Sequence, residues 1–368
     1  MADLILIPVI ILLVYKISFN RDGLNSDYLS LERTNILRGI MALDVVLFHF
    51  SLDSLNVNIK FLSVCQGDDA VKVFLFLSGY GLMYQYMHKG KSYLDSFFTK
   101  RFAKIIIPFI VTAIPYIIFY KASGGYYGAG EFNVSTLFSE FFKNGYTVVY
   151  NAWYVVELMV LYIVFFVCCK LSKGNNQKMV NCCVTAVMLL MCGFWALYNY
   201  GNWMYIWFYS IYAFAMGILW AYKEKAIVKL LDKRFDYIYM LVIPLVIFII
   251  LLRRNYLIGF GVEPYIMSKN LLLGPFIVIG VIVGGMKIKV NCKVWKYLGN
   301  ISYELFLIHG LFYTLLRSSL VYITNDFLYI LAVLGASISS AVAIHYISKY
   351  ILKAYFTLVD KLIARKKA

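Results

Sequence analysis

Apolar runs about as long as a membrane-spanning helix recur along the whole chain, separated by short polar turns. A helix rises 1.5 Å per residue, so a hydrocarbon layer about 30 Å thick needs roughly 17–25 apolar residues. The pattern predicts eleven spans, over 3–19, 35–53, 69–87, 103–120, 148–169, 179–199, 203–222, 236–252, 270–286, 298–316 and 327–348. No soluble-length polar block, linker or low-complexity tract divides them, which predicts a single all-α, polytopic transmembrane bundle. The first run differs from a secretory signal. Only Asp3 precedes LILIPVIILLVY, and Lys16 and Arg21 follow the apolar stretch with no small-residue cleavage site. The expected organisation is an extra N-terminal transmembrane helix over 1–20, a membrane domain over 29–350 and a basic cytoplasmic tail over 351–368.

Composition agrees with this pattern. Hydrophobic residues make up 62% and charged residues 15%, against about 25% charged in soluble domains; the mean hydropathy is +0.75. The net charge of +16 would suit nucleic acid if it formed a patch, but it is dispersed by topology. With the N-terminus outside, most Lys and Arg fall in the inner segments, from Lys16 to Arg38, Lys89 to Lys104, Lys170 to Lys178, Lys223 to Arg234, Lys287 to Lys296 and Lys349 to Lys367. The outer remainder is Lys60, Lys72, Lys121, Lys143, Arg253, Arg254, Lys269 and Arg317. This asymmetry predicts the N-terminus out and the C-terminus in, with the excess charge serving orientation and membrane lipids rather than nucleic acid. Of the seven cysteines, Cys168, Cys169, Cys182 and Cys183 cluster near two inner helix ends. Their spacing gives no disulfide framework and no metal site.

Chemistry then has to come from polar groups at membrane depth. Arg38 and His49 lie in one apolar run, ILRGIMALDVVLFHFS. Eleven residues turn through about 1,100°, three turns plus roughly 20°, so both side chains leave the same face about 16 Å apart along the axis. Ionisable groups in lipid are costly and mark function. Asp44, about 140° from His49 around the helix, must face a different neighbour. His309, with Ser302 and Tyr313 on its face at spacings of seven and four, is expected at the depth of His49, so the two imidazoles can converge. Trp153 and Glu157, four apart, share a face and are candidates to line a cavity; Glu157 is alternatively the partner of a buried cation. Glu304 is either a packing carboxylate or the orienter of an imidazole on a neighbouring helix. His345 reads as structural and His88 as solvated. Ser78, Gly79 and Gly81 suit close helix contact. In the outer loop 121–147, Tyr126, Tyr127 and Phe132 suit an interfacial aromatic belt at least as well as rings that stack on a ligand.

Several stretches, in order, resemble acyltransferase family 3, a family of integral membrane acyltransferases. LSLERTNILRGIMALDVVLFHF is similar to its opening helix, VFLFLSGYGLMYQY to its SGY/SGF helix, and SYLDSFFTKRFAKIIIPF to the basic entry of the next. NAWYVVELMVLYIVF and LGNISYELFLIHGLF resemble its middle and late signatures. The resemblance covers roughly residues 29–350. It implies about ten core helices, the eleventh being the N-terminal addition. It also implies an acyl-CoA donor, most commonly acetyl-CoA used as co-substrate, on the cytoplasmic side, and a glycan or lipid-linked sugar acceptor at the outer face of a bacterial plasma membrane. No tightly bound cofactor and no metal is implied. Carried over, Arg38 and His49 match the family's essential Arg and His, and Arg101 matches the first arginine of its RxxR motif. Lys104 stands where the second arginine is expected, offering a point charge without the bidentate fork.

Lys100, Arg101 and Lys104 open a helix, where backbone N–H groups add to the attraction for CoA phosphates. His49 would serve as general base for the attacking hydroxyl or as an acyl-imidazole relay; the sequence leaves both open. A transporter of a small polar solute such as an amino acid is the alternative, though no inverted repeat or pair of broken helices supports it.

The charge asymmetry gives a first prediction. Cysteine-accessibility labelling should place the 88–101 loop and the tail after Lys361 on one side and residues 121–147 on the other. Labelling of all three from one side would overturn the assigned topology.

Overall fold

Ser30 starts the first long helix: its side chain accepts from the Arg33 N–H at 3.4 Å, and Glu32 follows in the first turn, where the helix dipole favours an anion. The computed structural model describes residues 6–55, 67–124, 133–149, 152–201, 203, 205–255 and 269–367. In chain order its elements are α1 (Leu6–Val14), β1 (Ile17–Phe19), α2 (Leu31–Asp53), α3 (Gly67–Lys89), α4 (Lys91–Asp95), α5 (Phe97–Ser123), α6 (Val134–Asn144), α7 (Trp153–Leu171), α8 (Asn176–Tyr200), α9 (Tyr212–Asn255), α10 (Gly274–Lys287), β2 (Ile288–Val290), α11 (Lys293–Asn300), α12 (Ser302–Leu315) and α13 (Asp326–Lys367). Among the described residues, six helical stretches are long and apolar enough to cross a membrane: α2, α5, α7, α8, 270–287 and 326–362. The molecule is a multi-pass membrane helix bundle.

Several expected spans take a different form. Within the described residues the first is helical from Leu6 to Val14 and is followed by β1. The seventh and eighth, with the basic segment expected as a loop between them, run together in α9, 44 residues long. Residues 223–235 contain no Gly or Pro and are rich in Lys and Leu, both good helix formers, so nothing ends the helix there. The tail after residue 350 likewise continues α13. The tenth span breaks at Ile301 into α11, with Trp295 and Leu298 buried and Val294 and Tyr297 exposed, and α12, only 14 residues long. The expected outer loop 121–147 holds α6, an amphipathic helix with Val134, Phe138 and Phe142 exposed. Tyr126, Tyr127 and Phe132 lie outside the described residues.

Two ends of the bundle can be told apart. At one, β1 pairs antiparallel with β2, Ile17 opposite Val290 and Phe19 opposite Ile288. Asp27 meets Lys289 at 2.9 Å and Arg33 at 3.2 Å there. The Lys289 ammonium foremost, with Arg33, holds the Asp27 carboxyl below its ordinary range, so this knot persists at neutral pH and loosens only as pH falls through the carboxylate range. At the other end, Ser54 donates to Asp326 at 2.8 Å, tying the end of α2 to the start of α13.

Between these ends the helices approach closely through glycine. A Cβ on Gly79 would overlap the Phe214 carbonyl, and one on Gly217 the Phe76 carbonyl, so α3 and α9 pack backbone to backbone. Where α2 crosses α11, a Cβ on Gly39 would overlap the Trp295 carbonyl and one on Gly299 the Asn35 carbonyl. Gly81, expected to act like Gly79, faces open space. Tyr303 donates to Ile105 O at 2.9 Å and Tyr116 to Leu307 O at 3.1 Å, fixing α5 against α12. Trp295 Nε1 donates to Leu12 O at 2.9 Å and holds α1 to α11.

Gly299→Ala should therefore lower the thermal midpoint of the purified protein, at a cost of about 1–3 kcal/mol for forcing the backbones apart. Gly81→Ala should leave the midpoint unchanged. Equal melting of the two variants would show that the α2–α11 contact tolerates a side chain.

Candidate active site

The two imidazoles meet. The His49 and His309 rings lie with centroids 5.1 Å apart and planes at 49°. Tyr313 joins them, 6.1 Å from His49 and 5.9 Å from His309. Its hydroxyl donates to the Val46 carbonyl, one turn below His49, and its carbonyl accepts from Tyr329 at 3.0 Å. The Tyr313 side chain thus pins α12 to α2 at the level of the pair.

His309 is wholly buried, and its Nδ1 faces the Leu305 carbonyl at 3.1 Å. A carbonyl can only accept, so Nδ1 carries the proton and Nε2 the lone pair in the neutral ring. His49 is flanked by Phe48 at 5.4 Å, and Phe306 stands 5.9 Å from His309. His49 is four residues from the end of α2, about 6 Å along the axis, so the pair lies toward the end of the bundle opposite the sheet.

Arg38 is nearer the sheet end and half-buried. Tyr162 of α7 feels the charges of both Arg101 and Arg38, and Tyr154 that of Arg38. The Ser78 hydroxyl of α3 sits beside both phenols and donates to Phe74 O at 2.9 Å. Four helices therefore bring Arg38, Ser78, Arg101, Tyr154 and Tyr162 to one place. Arg101 also lies over the Tyr93 ring at 5.5 Å. Lys100 and Lys104, one and two turns into α5, are exposed. The tyrosines went unnoticed in the sequence because they are three of 32. Ser78 was read only as a small residue for packing.

Other expected site residues are placed elsewhere. Glu304 meets His345 of α13 at 3.0 Å, so it orients a neighbouring imidazole, though not one of the central pair. Ser302 donates to Gly299 O at 2.9 Å and serves the corner between α11 and α12. Glu157 is wholly buried; one of its oxygens lies 3.5 Å from the Ser210 hydroxyl, and the other has no hydrogen-bond partner. Trp153 packs 6.4 Å from Trp207. Lys72, on the outer side in the charge pattern and within the span 69–87, is buried and bonded to Asp69 and Asn270 at 2.6 Å each.

The constellation can hold an anion near Arg38 and Arg101 and move a proton at His49. Comparison with known proteins adds one finding: the model of acyltransferase family 3, described as an acyltransferase domain, matches residues 32–346. That range runs from α2 through the first half of α13 and contains the histidine pair, Arg38 and Arg101. No curated protein and no solved structure matches the chain.

Proposed function

The chain belongs to acyltransferase family 3, and from that premise we propose that it carries an acyl group, foremost acetyl, from cytoplasmic acyl-CoA to a glycan hydroxyl at the outer face of a bacterial plasma membrane. The acceptor class is an envelope or exopolysaccharide sugar, free or lipid-linked. The observation that carries this reading is the His49–His309 pair, 5.1 Å apart and displaced along α2 from Arg38 by about 16 Å. A donor whose phosphates are held by Arg101, Lys104 and Lys100 at the sheet end would direct its pantetheine arm past Arg38 toward the imidazoles.

In the step itself, neutral His49 takes the proton of the acceptor hydroxyl as its oxygen attacks the thioester carbonyl carbon. The C–O bond forms, the C–S bond breaks, and the departing CoA thiolate recovers the proton from the imidazolium. Arg38 offers its guanidinium to the donor on the way in. His309, with Nδ1 tied to Leu305 O, keeps its ring beside His49 and supports the acceptor or the base.

His49→Ala should lower glycan acylation by roughly 10²–10⁴-fold in membrane vesicles, the range typical for loss of a general base, while acetyl-CoA affinity changes far less. His309→Ala should be milder. Undiminished acylation by His49→Ala at matched expression would remove it from the reaction and favour a carrier instead.

The donor end is tested separately. Arg101→Ala with Lys104→Ala should weaken acetyl-CoA binding without loss of membrane insertion. Lys104→Arg alone should bind at least as tightly as the parent, since a guanidinium adds bidentate contacts. Normal binding by the double variant would place the phosphate clamp elsewhere.

A further inference from the structure

At the end of the bundle opposite the sheet, the end of α2 meets the loop between α12 and α13, where a guanidinium lies that the reaction above does not use. The Arg317 side chain is nine-tenths buried, and its Nη2 is bonded to Asp326. Its Cζ lies 3.9 Å from the centroid of the Tyr329 ring. Nε and Nη1 are sealed from solvent and have no acceptor. Buried donors almost always find one, so this arginine is a hydrogen-bond site left half filled.

Its surroundings lead toward the histidines. Arg317 and Tyr322 form an antiparallel bridge, which places their side chains next to each other, and Tyr322 is 58% exposed. Asp53 lies within the field of Arg317 at the exposed end of α2. It is four residues beyond His49, on the same helix face and one turn farther out. Tyr329, beneath the guanidinium, donates to the carbonyl of Tyr313, whose ring packs against both imidazoles. The cluster therefore sits immediately outward of the pair.

We propose that Asp53, Arg317 and Tyr322 form the acceptor subsite, taking an uncharged, hydroxyl-bearing sugar and presenting one of its hydroxyls to His49. This rests on the reading of a glycan acceptor given above. The unpaired Nε–H and Nη1–H of Arg317 each donate to a sugar oxygen, on separate edges of the guanidinium, the Asp53 carboxylate accepts from a sugar hydroxyl, and Tyr322 offers its ring to the C–H face of a pyranose. Charge sets the class. Two carboxylates, Asp53 and Asp326, stand against one guanidinium, so a uronate or a phosphorylated sugar meets repulsion that a neutral sugar does not.

The test is saturation-transfer NMR on the full chain in nanodiscs, with methyl glucoside, methyl N-acetylglucosaminide and methyl glucuronide as probes. The parent should bind a neutral glycoside, and Arg317→Gln should raise its Kd by about tenfold or more, the loss expected for hydrogen bonds to a charged group. Asp53→Asn should weaken the neutral glycoside and narrow the gap between it and the glucuronide. Acetyl-CoA binding on the same nanodiscs reports folding, and it tests the donor reading separately: its loss in the parent would sink that reading while the glycoside titration still stands. If Arg317→Gln fails to fold, exposed Asp53→Asn decides. No neutral glycoside bound by the parent, or equal binding by folded Arg317 and Asp53 variants, overturns the subsite.

Discussion

Two backbones meet with no side chain between them where α2 crosses α11, and the position of the histidine pair follows from that contact. Lipid is as apolar as leucine, so helices in a membrane gain little by hiding apolar surface from it, and close packing decides where they sit. Gly39 and Gly299 permit that closeness, each facing a carbonyl of the other segment. The chain then turns at Ile301 into α12, so α11 and α12 present themselves to α2 as a bent arm. A slip of one residue along α2 would shift His49 by 1.5 Å and rotate it by 100°, breaking both its approach to His309 and the Tyr313 bond to Val46.

The remaining polar groups at depth fall into two kinds. Some are answered by a neighbour and fix the bundle. Lys72 holds Asp69 and Asn270, Glu304 holds His345, and Glu224 collects the hydroxyls of Tyr28 and Tyr80 while Tyr28 accepts from Trp220. Such pairs are costly to break because the survivor is left in an apolar medium. Others meet mainly aromatic rings: His49 lies beside Phe48, His309 and Tyr313, and Arg101 over Tyr93. Rings crowd these groups without supplying a counter-charge.

The sequence made the bundle legible because hydrocarbon thickness imposes a length on apolar runs, and α2, α5, α7 and α8 fall close to their expected positions. The shared face of Arg38 and His49 was legible for the same reason, since helical geometry converts spacing into direction. What failed to show was everything set by a partner. Gly39 and Gly299 are ordinary until the opposing carbonyl is seen, whereas Gly81 looked like Gly79 and touches nothing. Glu304 read equally as a packing carboxylate or as the orienter of an imidazole, and only the approach of α13 decides that it meets His345. The continuity of α9 was hidden because charge marks where a helix leaves the membrane, and says nothing of where it stops.

If the donor is acyl-CoA, as proposed, the axial offset between Arg38 and His49 has an energetic consequence for transfer across the membrane. Coenzyme A carries several phosphate charges, and drawing them into hydrocarbon would be prohibitive without a channel. With cations at one end of α2 and the imidazole about 16 Å farther along it, the nucleotide would stay in water while the slender thioester arm alone enters the protein. The cargo would cross as an acyl fragment a few atoms in size, drawing on the free energy stored in its own bond, and would need no gradient and no second nucleotide to leave on the far side.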